Sequence, residues 1–180
     1  TLYGISKVFG ELLGNYYYEK LGLDVRGVRL PGIISWKVEP TAGTTDYAVA
    51  AFYGAIRTGH YTSYLKVGTY LPMMYMPDAI LALIQVAEAE ISGLKHHADF
   101  NVNAMSFAPE ELAEEIEKRV PGFTMDYEVD PVRQSIADSW PNSLDDSVAR
   151  EEWGWRPEFG IEQMVDDMPN NLRMKLTTDS

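Results

Sequence analysis

A chain of 180 residues, 46% hydrophobic and 23% charged, carries enough apolar side chain to bury one core of ordinary size, which excludes intrinsic disorder. Its 27 acidic against 15 basic residues leave a net charge of −12, which repels phosphate backbones and anionic lipid and excludes nucleic acid as a natural partner. No cysteine is present, so disulfides and thiolate chemistry are excluded and a reducing, cytoplasmic setting is expected.

The chain starts on Thr1 and enters helical periodicity at once, which predicts further sequence upstream. Ile5, Val8, Phe9, Leu12, Leu13, Tyr16 and Tyr17 recur at three-and-four spacing and predict an amphipathic helix ended near Gly22. Leu23 to Leu30 reads as one short strand, halted by a turn at Pro31-Gly32. Trp36 to Thr45 has loop composition, and Asp46 to Thr58 is helical up to Gly59. Tyr61 to Lys66 and Tyr70 to Met76 read as strands. Pro77-Asp78 opens a helix through Glu90, with Asp78 favourable to the helix dipole. The longest apolar stretch, Ala79 to Ala87, falls in this helix, is interrupted by Gln85 and is too short to cross a bilayer.

Asp99 to Asn103 predicts another short strand, with His96 and His97 in a surface turn before it. Being adjacent, the two imidazoles point apart, so no metal is expected there. Pro109 to Arg119 has acids first and bases last, a helical signature closed by Pro121-Gly122. Thr124 to Val129 is a predicted strand. The remainder reads as a loop around Trp140-Pro141-Asn142 and two short helices, Asp145 to Trp153 and Gly160 to about Arg173.

Tyr3 and Lys7 stand four apart, so both project from one helix face, opposite the apolar stripe and continuous with Gly10 and Gly14. A phenol beside an ammonium group is a fit acid/base catalyst, because the positive charge favours phenolate below its ordinary pKa of about 10. The spacing alone is common, and Tyr16 and Lys20 repeat it on the apolar stripe, where packing is the better reading. A polar helix face remains the plain alternative for Tyr3 and Lys7.

The order of motifs adds to this. Tyr3-Gly4-Ile5-Ser6-Lys7, then helix, strand and Arg29-Leu30-Pro31-Gly32-Ile33-Ile34, resembles the second half of the nucleotide-binding domain in extended short-chain dehydrogenases. Gly43 to Ala48, Leu71 to Ile80, Ser135 to Pro141 and Asp145 to Trp155 resemble the L-threonine 3-dehydrogenase branch of that family. The resemblance covers nearly the whole chain. It implies an α/β fold: residues 1–35 as the C-terminal part of a Rossmann-like domain, and 36–180 mainly as a mixed α/β substrate-binding lobe, with elements able to return to the sheet.

It also implies oxidation of L-threonine to L-2-amino-3-oxobutanoate with NAD. Tyr3 is then the general base and Lys7 its electrostatic partner and a ribose ligand. Leu30, Pro31, Gly32 and Ile33 match the segment that meets the nicotinamide end, although a strand-ending turn is the plain reading. Gly43, Thr44 and Thr45 match a loop that contacts the amino acid, and Thr45 competes as a helix N-cap. Asp46 suits the substrate ammonium or the first turn of a helix, and Trp140 either encloses the pocket or packs. The Ile5–Tyr17 stripe matches the helix through which such enzymes form homodimers. A Gly-rich turn for pyrophosphate is absent, as is the family's catalytic Ser or Thr, so the 180 residues alone are expected to be inactive.

Two other functions stay open. A nucleotide-sugar epimerase or dehydratase shares the fold and the Tyr-x-x-x-Lys, but needs phosphate donors, of which Arg133 is the one obvious C-terminal example. A noncatalytic association module, pairing through the first helix, is the other.

Overall fold

In the computed structural model, which describes residues 1–178, the chain opens on helix α1 (Leu2–Leu21). Thr1 caps it, its hydroxyl accepting from the Gly4 N–H at 3.1 Å, and Gly22 ends it in the left-handed region at φ 65°, where glycine avoids the Cβ clash. Four strands follow along the chain: β1 (Val28–Arg29), β2 (Gly32–Ile34), β3 (His60–Ser63) and β4 (Leu71–Tyr75), with helix α2 (Tyr47–Arg57) between β2 and β3. The single strand expected over Leu23 to Leu30 is therefore corrected. Pro31 has no N–H to give to a ladder, and the extended chain splits around it into β1 and β2, which pair with different partners.

Helix α3 (Met76–Glu88) starts with Pro77 in its first turn. Asp78 does more there than favour the dipole. It is buried, and its carboxylate accepts from the backbone N–H of Glu158 at 2.9 Å and of Phe159 at 3.0 Å, latching the C-terminal segment to α3. Burial raises the Asp78 carboxyl pKa and these two donors oppose the rise. At the other end of α3, Arg26 donates to the carbonyls of Val86, Ala87 and Ala89 at 2.6, 3.0 and 2.6 Å. A cation there satisfies acceptors that a helix C-terminus leaves free.

Next come β5 (Phe100–Asn101), β6 (Met105–Phe107), α4 (Pro109–Arg119), β7 (Thr124–Tyr127), α5 (Pro131–Ala137), α6 (Ser147–Trp153) and α7 (Ile161–Thr178). In α4, Glu111 accepts from the Ala108 N–H at 3.1 Å, as an acidic residue in the first turn should. Neither β6 nor α5 is predicted by the sequence pattern. Helix α5 occupies the segment read as loop, because the Asp130 carboxylate accepts from Val132 N at 2.8 Å and Arg133 N at 3.1 Å while Pro131 takes the first position.

The strands form three small ladders. β1 runs parallel to β5 and β3 parallel to β7, while β4 lies between β2 (parallel) and β6 (antiparallel). Every residue of β4 is buried, the pattern of a strand covered on both faces. One core gathers on α2, α4, α7 and β4, around Tyr47, Phe52, Leu112 and Met168. A second surrounds Met74, Phe100 and Trp155 under α3 and α6. Tyr75 and the methionines beside it are core, as expected.

The surface turn at His96-His97 needs correction. His97 is buried, its ring stacked on Tyr18 with centroids 3.5 Å apart. His96 stays exposed and bonds Glu152 at 2.7 Å. Burial raises the Glu152 carboxyl, but the His96 ring and the backbone N–H groups of His96 and Lys95 outweigh it and leave the group below its ordinary pKa. No helix among the described residues is long and apolar enough to cross a membrane.

Candidate functional site

Helix α1 touches the body of the protein sparingly. Gly14 is its one buried residue, and a Cβ there would lie 2.9 Å from Ala98 Cβ and 3.1 Å from Val25 Cγ1, so the helix rests on this point because no side chain intervenes. Beside the contact, Arg29 of β1 donates to both carboxylate oxygens of Glu11 at 2.7 and 2.6 Å. That bond lowers the Glu11 carboxyl pKa against the opposing effect of burial.

Between α1 and β1 lies a cleft of about 560 Å³ lined by Tyr3, Lys7, Gly10, Glu11, Leu30 and Trp140 among others. Tyr3 is 71% exposed, so its phenol is free to meet a ligand. The Lys7 ammonium sits over the Tyr3 ring, 5.2 Å from its centroid, a cation–π placement that the helix spacing alone does not specify. No atom lies within 4 Å of a Cβ built at Gly10, which leaves the cleft floor open beside the pair. Trp140 arrives from the far end of α5, its backbone N–H donating to the Ala137 carbonyl at 3.0 Å.

The remaining expected residues sit on two adjoining pieces. Leu30 faces the cleft, Pro31 and Gly32 are buried, and Ile33 is half-buried. The expected strand-ending turn is not formed there, since Gly32 and Ile33 belong to β2 and pair with Met73 and Met74. A Cβ on Gly32 would stand 2.5 Å from Met73 Sδ and 2.7 Å from Thr45 Cγ2. Gly32 thus lets the threonine loop close onto β2.

That loop is a 3-10 turn, Thr44–Asp46, preceded by Gly43. Thr45 is not the N-cap of α2. Asp46 holds that position without a side-chain cap bond, because its Oδ2 accepts from the Thr41 N–H at 2.7 Å and the Thr41 hydroxyl at 2.6 Å. Tyr64, which the sequence pattern does not single out, donates its hydroxyl to the Gly43 carbonyl at 2.8 Å and reaches the Thr44 carbonyl at 3.3 Å. Arg133 stacks on the Tyr64 ring at 4.2 Å and lies 3.7 Å from Asp130. Among the described residues no group of three or more His, Asp or Glu side chains is arranged to hold a metal ion.

No family model matches the chain. It is 52% identical over 175 residues to an uncharacterized epimerase/dehydratase of Staphylococcus haemolyticus, covering 97% of this chain and 55% of that protein. The L-threonine dehydrogenase of Clostridium difficile superposes with a TM-score of 0.95 at 51% identity, over 97% of this chain and 55% of that one. The L-threonine dehydrogenase of Phytophthora infestans gives a TM-score of 0.94 at 47% identity, over 97% and 56%. The chain thus spans about half the length of the relatives it matches. The resemblance carried by the motifs extends to the backbone.

Proposed function

We propose that this chain belongs to the extended short-chain dehydrogenases and supplies the catalytic tyrosine and substrate lobe of an NAD-dependent L-threonine 3-dehydrogenase. The observation that carries this reading is the convergence of Tyr3, Lys7, Leu30 and Trp140 on one cleft, although Trp140 lies far along the chain from the other three. Likeness to solved L-threonine dehydrogenases supports the substrate.

In this reading Tyr3, as phenolate, accepts the proton of the threonine C3 hydroxyl. Lys7 holds its charge beside the ring and donates to a ribose hydroxyl. The residues present fit the nicotinamide-ribose end of the cofactor: a phenol, an ammonium group and an open glycine line one wall, and the half-exposed, apolar Leu30 faces them. When bound, NAD supplies the acceptor for the C3 hydride, which leaves L-2-amino-3-oxobutanoate and NADH. Gly43, Thr44 and Thr45 offer hydroxyls and backbone to the amino acid, Asp46 a carboxylate to its ammonium group, and Trp140 closes the cleft. Pro31, Gly32 and Ile33 seat the nicotinamide end from behind.

The Gly-rich pyrophosphate turn is not in this sequence. The 180 residues alone should therefore form no NADH from L-threonine and NAD, while the full-length enzyme carrying them should. Robust turnover by the isolated chain, or turnover of UDP-sugars in preference to L-threonine by the full-length enzyme, refutes the reading. Engagement of Arg133 with Tyr64 and Asp130 weighs against the nucleotide-sugar alternative, which would need that guanidinium for phosphate.

Ile5, Val8, Phe9, Leu12 and Tyr16 are each more than half exposed, a continuous apolar stripe of the kind that marks an association surface. A cytoplasmic homodimer formed through it completes the proposal. Light scattering of the full-length enzyme should return a dimer or larger assembly, and a monodisperse monomer overturns this part.

A further inference from the structure

We infer that Tyr64 and Arg133 form a strut that sets the position of the Gly43–Thr45 loop and thereby the affinity for the amino-acid substrate. The inference rests on the reading of that loop as the substrate grip.

Within the loop one backbone bond, from the Asp46 N–H to the Gly43 carbonyl at 3.2 Å, closes the turn. Gly43 and Thr41 are exposed, and the Asp46 carboxylate ties only the backbone and hydroxyl of Thr41. Gly32 and Thr45 touch on the β2 side, which fixes the depth of Thr45 and leaves its outer end unsupported. Tyr64 meets that end, one phenol serving the carbonyls of Gly43 and Thr44. Holding two successive carbonyls fixes the backbone from which the loop's hydroxyls project.

The Tyr64 ring is in turn clamped. The Arg133 guanidinium lies over its face at 4.2 Å, close enough for stacking and cation–π attraction together. Arg133 sits in α5, whose start is fixed by the Asp130 cap and whose end leads to Trp140. One short helix thus connects the brace behind the loop with the wall of the Tyr3 cleft. Burial pushes the Tyr64 phenol up to about 12, with Arg133 opposing, so it remains a donor throughout the neutral range. Tyr64 and Arg133 are positioning residues, since neither lines the cleft that holds Tyr3 and Lys7.

The test is steady-state kinetics of the full-length enzyme with Tyr64→Phe, Arg133→Gln and Arg133→Lys. Loss of one carbonyl hydrogen bond should raise the KM for L-threonine about 10-fold in Tyr64→Phe. Its kcat and its KM for NAD should stay within about 2-fold of wild type. Arg133→Gln should show the same pattern more weakly, and Arg133→Lys, which keeps a cation on the ring, should recover most of the lost affinity. An unchanged KM for L-threonine in Tyr64→Phe, with active wild type, overturns the strut alone. So does a parallel fall of kcat, affinity and melting temperature, which marks a general brace. If Tyr64→Phe fails to fold, the split between the two Arg133 variants decides. Wild type that does not oxidise L-threonine overturns the functional reading and the strut with it.

Discussion

On the proposed function, Tyr3→Phe in the full-length enzyme is expected to lower kcat for L-threonine by about 10²- to 10⁴-fold, the range that a positioned proton acceptor contributes. The change removes one oxygen from an exposed side chain, so folding and melting temperature should stay as they are. If the phenol acts on the reacting hydroxyl as proposed, the loss should fall on kcat and kcat/KM alike, with the KM for NAD nearly unchanged. Lys7→Met should differ in kind. It removes the ammonium group over the Tyr3 ring together with a ribose donor, so NAD affinity and turnover should decline together. NADH absorbance under saturating and limiting NAD separates the two patterns. Retention of more than about a tenth of wild-type kcat in Tyr3→Phe removes Tyr3 from the role of base.

The largest effect on stability is expected at Gly54, in the middle of α2. A Cβ there would lie 2.5 Å from the His60 carbonyl oxygen and 3.0 Å from Tyr61 Cβ. The obstruction is backbone, and it is fixed, because Thr58 Oγ1 donates to this same carbonyl at 3.0 Å and to that of Gly54 at 3.0 Å. Alanine favours a helix over glycine by about 1 kcal/mol, yet overpacking against rigid backbone costs about 1–3 kcal/mol beyond what propensity returns. We expect Gly54→Ala to be destabilised by about 2 kcal/mol net, or about 4–8 °C in Tm for a chain of this size. Gly10→Ala is the control. Nothing lies within 4 Å of its Cβ, so the propensity gain should stand alone and raise Tm slightly. Thermal melts followed by circular dichroism compare the two, and a Gly54→Ala variant as stable as wild type would show that α2 and β3 can separate freely.

Where the sequence was legible and where it was not follows from the range of each signal. Helices α1, α2, α3 and α4 carry several turns of periodic apolar residues with a terminating glycine, or proline at the start, and these are local signals that survive folding. Helix α5 has seven residues, too few for periodicity to emerge, and its one local mark is Asp130 before Pro131, a pair that turns and loops share. Strand β6 has three residues and exists because β4 offers it an edge. The split of β1 from β2 was partly visible in Pro31, but the choice of different partners, Phe100 for Val28 and Met73 for Gly32, is a tertiary fact.

The site divides the same way. Tyr3 and Lys7 were legible because one helix turn fixes their juxtaposition, and Trp140 through a motif rather than through any spacing to Tyr3. Tyr64 was illegible: its partners are carbonyl groups of Gly43 and Thr44, which have no signature in the amino-acid code. His97 read as surface because nothing local announces that Tyr18 stacks on it.

The scarcity of anchors under α1 bears on control of the reaction. A helix seated by one buried glycine, a half-exposed ion pair and the Tyr18–His97 stack has few contacts to resist local detachment. Tyr3 and Lys7 ride on it, so in the proposed reaction the fraction of molecules competent for proton transfer equals the docked fraction. A second copy that binds the outer stripe more tightly with α1 docked than detached would raise that fraction without touching a reacting atom, and assembly would then regulate turnover of the proposed enzyme.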